Sequence, residues 1–142
     1  MVKVGIIFVI LAILFIIDSV FFAKKFIRRE DKWKGYQVIK YKLQNKSYRF
    51  LVADTAEKQA KGLMDVRDVR ELDGADGMIF LFKKKDIYTF WNKNTYVDLD
   101  IYWISDNKMV GYDMLPSILK TRTIRTVQAA KPANKVIELI SR

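Results

Sequence analysis

The 142-residue chain contains neither cysteine nor histidine. No disulfide framework can form, so exposure outside the cell has to be withstood by packing alone. Zinc sites built on Cys or His are excluded, and so is every catalytic triad that uses His as its base. Oxygen-only coordination by aspartates stays open, but nothing in the pattern calls for a metal or any other cofactor. Glycine is scarce as well: the six glycines never gather into a Gly-rich loop, so no phosphate cradle is indicated.

Positive charge and apolar length are what the chain has in excess. The net charge is +10, and it is unevenly placed: between Lys24 and Arg49 ten basic residues face only Glu30 and Asp31. A basic chain invites a nucleic-acid reading. Here, however, the charge follows directly on the apolar run Val4 to Ala23, VGIIFVILAILFIIDSVFFA. Attraction to anionic lipid headgroups, about 1 kcal/mol per basic residue near the surface, accounts for Lys24, Lys25, Arg28 and Arg29 more simply.

As a helix the run would reach about 30 Å, enough to cross a bilayer core. Its one ionisable group, Asp18, sits within reach of an interface. Phe21, two residues before Ala23, fits poorly where a signal-peptide cleavage site wants a small side chain, so an uncleaved anchor is the reading. Residues 1–24 are thus expected to be a transmembrane anchor, 25–35 a basic juxtamembrane linker, and 36–142 one compact domain. The count of Lys and Arg at the two ends of the run favours a cytoplasmic place for that domain.

From Tyr36 onward the apolar period becomes two. Tyr36 to Leu43 and Tyr48 to Ala53 read as strands joined through Gln44-Asn45-Lys46. Asp54 with Glu57 resembles a capping box, and Gly62 a terminator, so a two-turn helix is expected between them. Val66 to Gly77 reads as an irregular loop with one helical turn near Val69 to Leu72. Strands are then expected at 78–82, 87–92, 99–105, 108–114, 121–129 and 135–141, with Asp106-Asn107 as a tight hairpin. Many short strands and one small helix argue for a mainly-β domain, a sandwich or barrel. Met64, Met78, Met109 and Met114 read as core filler.

The densest stretch is Phe90 to Ser105, FWNKNTYVDLDIYWIS. Asp100 shares a strand face with Asp98 and Tyr102, opposite Leu99, Ile101 and Trp103. A carboxylate in so apolar a strand should be paired, because an unpaired buried charge costs several kcal/mol. Arg67 and the Asn94-Thr95 turn are the expected partners. Read structurally, Asp100 pins that turn. Read functionally, Arg67, Asn94, Thr95 and Asp100 form a polar cluster at the mouth of a pocket walled by Trp91 and Trp103. Asp98 and Asp100, about 7 Å apart along the strand, could also serve acid–base work or a hard cation.

Several of these pieces resemble, in order, the motifs of the prokaryotic family catalogued as domain of unknown function 192. Val52-Ala53-Asp54-Thr55, Lys61-Gly62-Leu63-Met64 and Arg67 are similar to its opening motif, and Gly77-Met78-Ile79-Phe80 to its second. Phe90 to Thr95 with Leu99-Asp100-Ile101 is similar to its third, and Pro132-Ala133 with Val136-Ile137-Glu138-Leu139 to its closing strand. The family usually carries Met where Asn92 stands and Pro where Asp98 stands. It also commonly runs some way past the closing strand, whereas this chain stops at Arg142. The resemblance implies a mainly-β sandwich, often behind a signal peptide or anchor, and hence an extracytoplasmic address that opposes the charge count. It implies no assigned activity.

The reading that results is a single-pass, membrane-anchored envelope domain with its globular part outside the cytoplasm. It is expected to bind or assemble with a small molecule, a glycan or an envelope partner through Arg67, Trp91, Asn94, Thr95 and Asp100. The alternative is a small hydrolase or lyase with Asp100 as its acid–base group.

Overall fold

The computed structural model describes residues 32–141. The expected anchor, Val4 to Ala23, and the basic residues Lys24, Lys25, Arg28 and Arg29 lie outside them. Among the described residues no helix is long and apolar enough to cross a membrane. The chain divides into two units, Met1–Lys34 and Gly35–Arg142, and the second holds every strand.

That unit contains β1 (Val38–Leu43), β2 (Lys46–Ala53), helix α1 (Ala56–Lys61), a 3-10 turn at Val69–Leu72 and β3 (Gly77–Asp86). β4 (Thr89–Trp91), β5 (Leu99–Ser105), β6 (Lys108–Leu115), helix α2 (Ile118–Thr121), β7 (Thr126–Gln128) and β8 (Ala133–Ile140) follow. Six strands make one open mixed sheet in the order β1-β2-β3-β8-β5-β6, and β4 pairs with β7 as a separate ribbon. The sheets are open, so the expected barrel closure does not occur, and among the described residues from Gly35 onward there are two short α-helices where one was expected.

The local chemistry explains most boundaries. Gln44 and Asn45, both at positive φ, turn β1 back onto β2. The α1 N-cap is Thr55 and not Asp54: the Thr55 hydroxyl accepts the Lys58 N–H, while Asp54 binds the Lys58 ammonium at 2.8 Å. Gly62 ends the helix at φ 49. The expected strand over 121–129 shrinks to Thr126–Gln128 because its first residue completes α2, which Arg122 closes in the left-handed region.

β2 and β3 run parallel, with α1 in their connection, and β8 pairs antiparallel with both β3 and β5. A strand flanked on both sides reads as a continuous apolar run, which Val136 to Ile140 does except at Glu138. One face of the sheet gathers Leu51, Ala53, Met78, Phe80, Leu99, Ile101, Trp103, Leu115, Val136 and Ile140, all buried. The other gathers Phe50, Val52, Ile79, Tyr102, Ile104, Ile137 and Leu139. Phe90 of the ribbon seals the first face, edge-on to Phe80 at 4.8 Å and to Trp103 at 5.5 Å.

Two glycines allow close approach. A Cβ on Gly77 would stand 2.0 Å from the Glu138 carbonyl oxygen, whereas one on Gly111 would meet the Trp103 ring at 2.9 Å. Backbone cannot yield as a side chain can. Gly77→Ala is therefore expected to cost at least about 3 kcal/mol in urea unfolding, against about 1–2 kcal/mol for Gly111→Ala; equal costs would show that the β3–β8 approach is not the tight point.

Candidate functional site

The end of α1, β3, β4 and β8 enclose a cavity of about 180 Å³ on the first face of the sheet. Its apolar wall is aromatic, with Phe80 and Phe82 from β3, Tyr88 just before β4, and Phe90 and Trp91 from β4. Each wall element is fixed by its own contacts. The Gln59 amide of α1 donates to the Leu81 carbonyl at 2.8 Å, which clamps the helix over β3. Tyr88 stacks on Phe82 with centroids 3.8 Å apart, and its hydroxyl donates to the Lys84 carbonyl. Trp91 stays 49% exposed, so it forms the mouth, with the Lys93 ammonium 5.2 Å from its ring centre.

The turn after β4 is pinned from inside. Asn92 is fully buried: its amide nitrogen donates to the Pro116 carbonyl and the Thr121 hydroxyl, and its amide oxygen accepts the Arg125 N–H. These bonds tie β4 to α2 and to the segment before β7. Thr95, also buried, donates its hydroxyl to the Lys93 carbonyl at 3.3 Å.

The floor of the cavity is Glu138, only 5% exposed, at the centre of β8. The Leu63 backbone N–H donates to its carboxyl group. Oε2 has no hydrogen-bond partner, so that bond falls on Oε1. Burial among apolar walls outweighs the single N–H and pushes the acid up to about 8. At neutral pH Glu138 is therefore protonated in most molecules.

The structure separates the residues singled out in the sequence. Trp91 and Thr95 line the cavity. Asn94 sits beside it at φ 51, with its carbonyl accepting the Asp65 N–H. Arg67 lies with its guanidinium 3.9 Å from the Tyr96 ring centre and does not line the cavity. Asp100 is on the opposite sheet face, where it accepts the Tyr112 hydroxyl at 2.7 Å; that bond pushes the Tyr112 phenol up to about 12. Neither Arg67 nor the Asn94-Thr95 turn is its partner. Asp98 accepts the Ser117 N–H and binds the Lys120 ammonium, which holds its carboxyl below the usual range. Trp103 is buried, with its indole N–H on Asp113. Met114 and Met109, expected as core filler, are exposed on the edge strand β6.

Glu138, which lines the cavity, was not singled out in the sequence, although a signal existed. An ionisable side chain inside an apolar run of central-strand character has no solvated face to turn to.

An open mixed sheet carrying a lateral, aromatic-walled cavity with one buried acid defines a small mainly-β domain with a ring-sized pocket. Residues 38–141 match the domain of unknown function 192 family, described as an uncharacterised ACR, and the chain belongs to that family. A crystal structure of a protein of unknown function from Novosphingobium aromaticivorans DSM 12444 is similar, with 27% identity and a TM-score of 0.58 over 75% of this chain and 74% of that one. A second, from Sinorhizobium meliloti 1021 and described as a candidate transcription regulator, is similar in fold, with 22% identity and a TM-score of 0.55 over 75% of this chain and 80% of that one. No curated protein matches the chain.

The raised acid sets a pH dependence of stability. Between its ordinary value of 4.5 and about 8 the folded chain holds a proton at Glu138 that the unfolded chain has lost. The stabilisation is therefore fully present below pH 4.5 and falls away as pH rises through about 8. Glu138→Gln is expected to remove a component on the order of a few kcal/mol from the pH profile of urea unfolding. Parallel profiles for the two proteins would show that the carboxyl does not titrate in this window.

Proposed function

We propose that the chain is a binding module whose cavity receives one flat ring of a small molecule or sugar. One observation carries the reading: a ring-sized, aromatic-walled hollow ends on a buried carboxyl oxygen with no partner. The volume, about 180 Å³, decides the size class. It is below the ~300–1,000 Å³ of drug-sized sites and close to the ~150 Å³ of an apolar cavity that takes benzene. A ring entering past Trp91 would stack on a face that is half exposed and would bury apolar area against Phe80 and Phe90. Binding is favoured over catalysis because the Thr95 and Tyr88 hydroxyls that line the hollow already donate to backbone carbonyls, so neither is held as an activated nucleophile.

The tether belongs to the same proposal and rests on the sequence. Val4 to Ala23 holds the module at a bilayer, the basic residues after it meet lipid headgroups, and the domain faces the extracytoplasmic side.

Calorimetric titration of the full-length chain with monosaccharides, peptidoglycan fragments and single-ring aromatics is expected to yield a binder that Trp91→Ala weakens at least about five-fold. Silence across all three classes, or unchanged affinity in the variant, sinks the binding reading. Protease added to intact cells should digest the domain; digestion only after lysis would place it on the cytoplasmic side.

A further inference from the structure

The chemistry at the floor of the cavity narrows the ligand further, given the binding reading above. Glu138 is buried between β3 and β5, where its cross-strand neighbours are Met78 and Ile101, neither of which titrates. Phe80, the next cavity-facing residue of β3, does not titrate either. Three other titratable side chains stand around the hollow or its mouth. Lys61 on α1 holds its ammonium 5.6 Å from the Tyr36 ring centre, Tyr88 is committed to the Lys84 carbonyl, and Lys93 lies over Trp91 at the mouth. Among the described residues no ion pair includes Glu138.

A carboxyl group buried without a cation keeps its proton, because an unpaired buried charge costs more than a protonated acid. The Leu63 N–H donates to the carboxyl group and Oε2 is left without a partner, so Oε2 is the oxygen free to carry the hydroxyl. Oε2 also borders the space beside Gly62: a Cβ built there would stand 3.7 Å from Oε2 and 3.5 Å from the Phe80 ring. Gly62, at φ 49, thus ends the helix and puts no side chain against the acid on the side of the hollow. A buried hydroxyl that lacks an acceptor is a deficit of about 1–3 kcal/mol that a ligand oxygen can cancel.

We propose that the ligand presents a hydrogen-bond-accepting carbonyl oxygen, on or beside its ring, to the Glu138 carboxyl, which donates from Oε2. The positive charges of Lys61, which lines the hollow, and of Lys93 over Trp91 at the mouth favour the negative end of that carbonyl dipole over a cationic ligand. A cation would need the acid ionised, whereas a carbonyl needs it protonated, so the two chemistries have opposite pH dependence. No covalent step is involved, and Glu138 keeps its proton throughout.

The test uses three single-ring probes on the full-length chain: acetophenone, which offers a carbonyl; toluene, which offers no polar atom; and benzylamine, which offers a cation. Calorimetric affinities at pH 6.5 and 9.5 are expected to show acetophenone ahead of toluene at the lower pH. Acetophenone should weaken about ten-fold or more at the higher pH, where the carboxylate repels the carbonyl and no longer donates, while toluene changes little. In Glu138→Gln, which keeps a donor but cannot ionise, acetophenone binding should be flat with pH. The wild-type pair of measurements decides the matter even if that variant folds poorly. Equal binding of acetophenone and toluene, or benzylamine as the best probe and tightening with pH, overturns the carbonyl assignment and leaves the cavity reading standing. If none of the three binds, both fall.

Discussion

The placement of β8 between β3 and β5 is the constraint on which the rest of the structure depends. Both neighbours are antiparallel to it, so from Lys135 to Leu139 the strand is paired on both sides within the sheet. Its buried stretch, Val136 to Ile140, has no position at which a charge is solvated. Five of its eight residues are buried and contiguous from Val136 to Ile140, and Glu138 stands in their middle. The pairing energy of the sheet holds the acid in a place its own solvation would reject.

The elements around the acid follow from the same constraint. β3 can approach β8 because Gly77 has no side chain, and the opening residues of β3 then set Phe80 against the cavity. The parallel step from β2 to β3 needs a crossover, and α1 supplies it. Gly62 stops that helix early enough for the Leu63 N–H to reach the carboxyl. The ribbon closes the remaining side through Phe90, and the buried amide of Asn92 locks it to the segment carrying α2. Asn92 is where the family usually has Met. Methionine could fill the space but could not satisfy the Pro116 carbonyl and the Arg125 N–H, so here the neighbouring backbone has settled around an amide.

How much of this was legible depended on whether a signal was local. The hairpins at Gln44-Asn45 and Asp106-Asn107, the 3-10 turn at Val69–Leu72 and the helix ending at Gly62 could be read, because turn and cap chemistry act within a few residues. α2 could not: it is four residues long, and its N-cap Ser117 makes no side-chain cap bond. Alternation placed Asp100 correctly with Tyr102 and opposite Trp103, but it cannot say which face of a strand meets a hollow. That depends on the ribbon, a partner distant in sequence. Trp91 and Thr95, which line the cavity, stand in a stretch whose aromatic and polar density is visible locally. Glu138 was passed over because attention to pairs of carboxylates favours Asp98 and Asp100, whereas the informative feature was one acid in an otherwise unbroken apolar run.

The acids of this sheet argue the functional point by comparison. Asp100 has the Tyr112 hydroxyl, Asp113 the Trp103 indole, and Asp98 both a backbone N–H and the Lys120 ammonium. Each sits where a donor from the next strand or helix meets it, and each is explained by the fold it stabilises. Glu138 lies on the strand adjacent to Asp100, one pair along the register, yet faces the other way and keeps one oxygen bare. An apolar residue of the same volume would serve the strand better, since it would remove the cost of desolvating the acid. Packing therefore explains three of these carboxylates, and the fourth is accounted for by the proposed binding role of the hollow beside it.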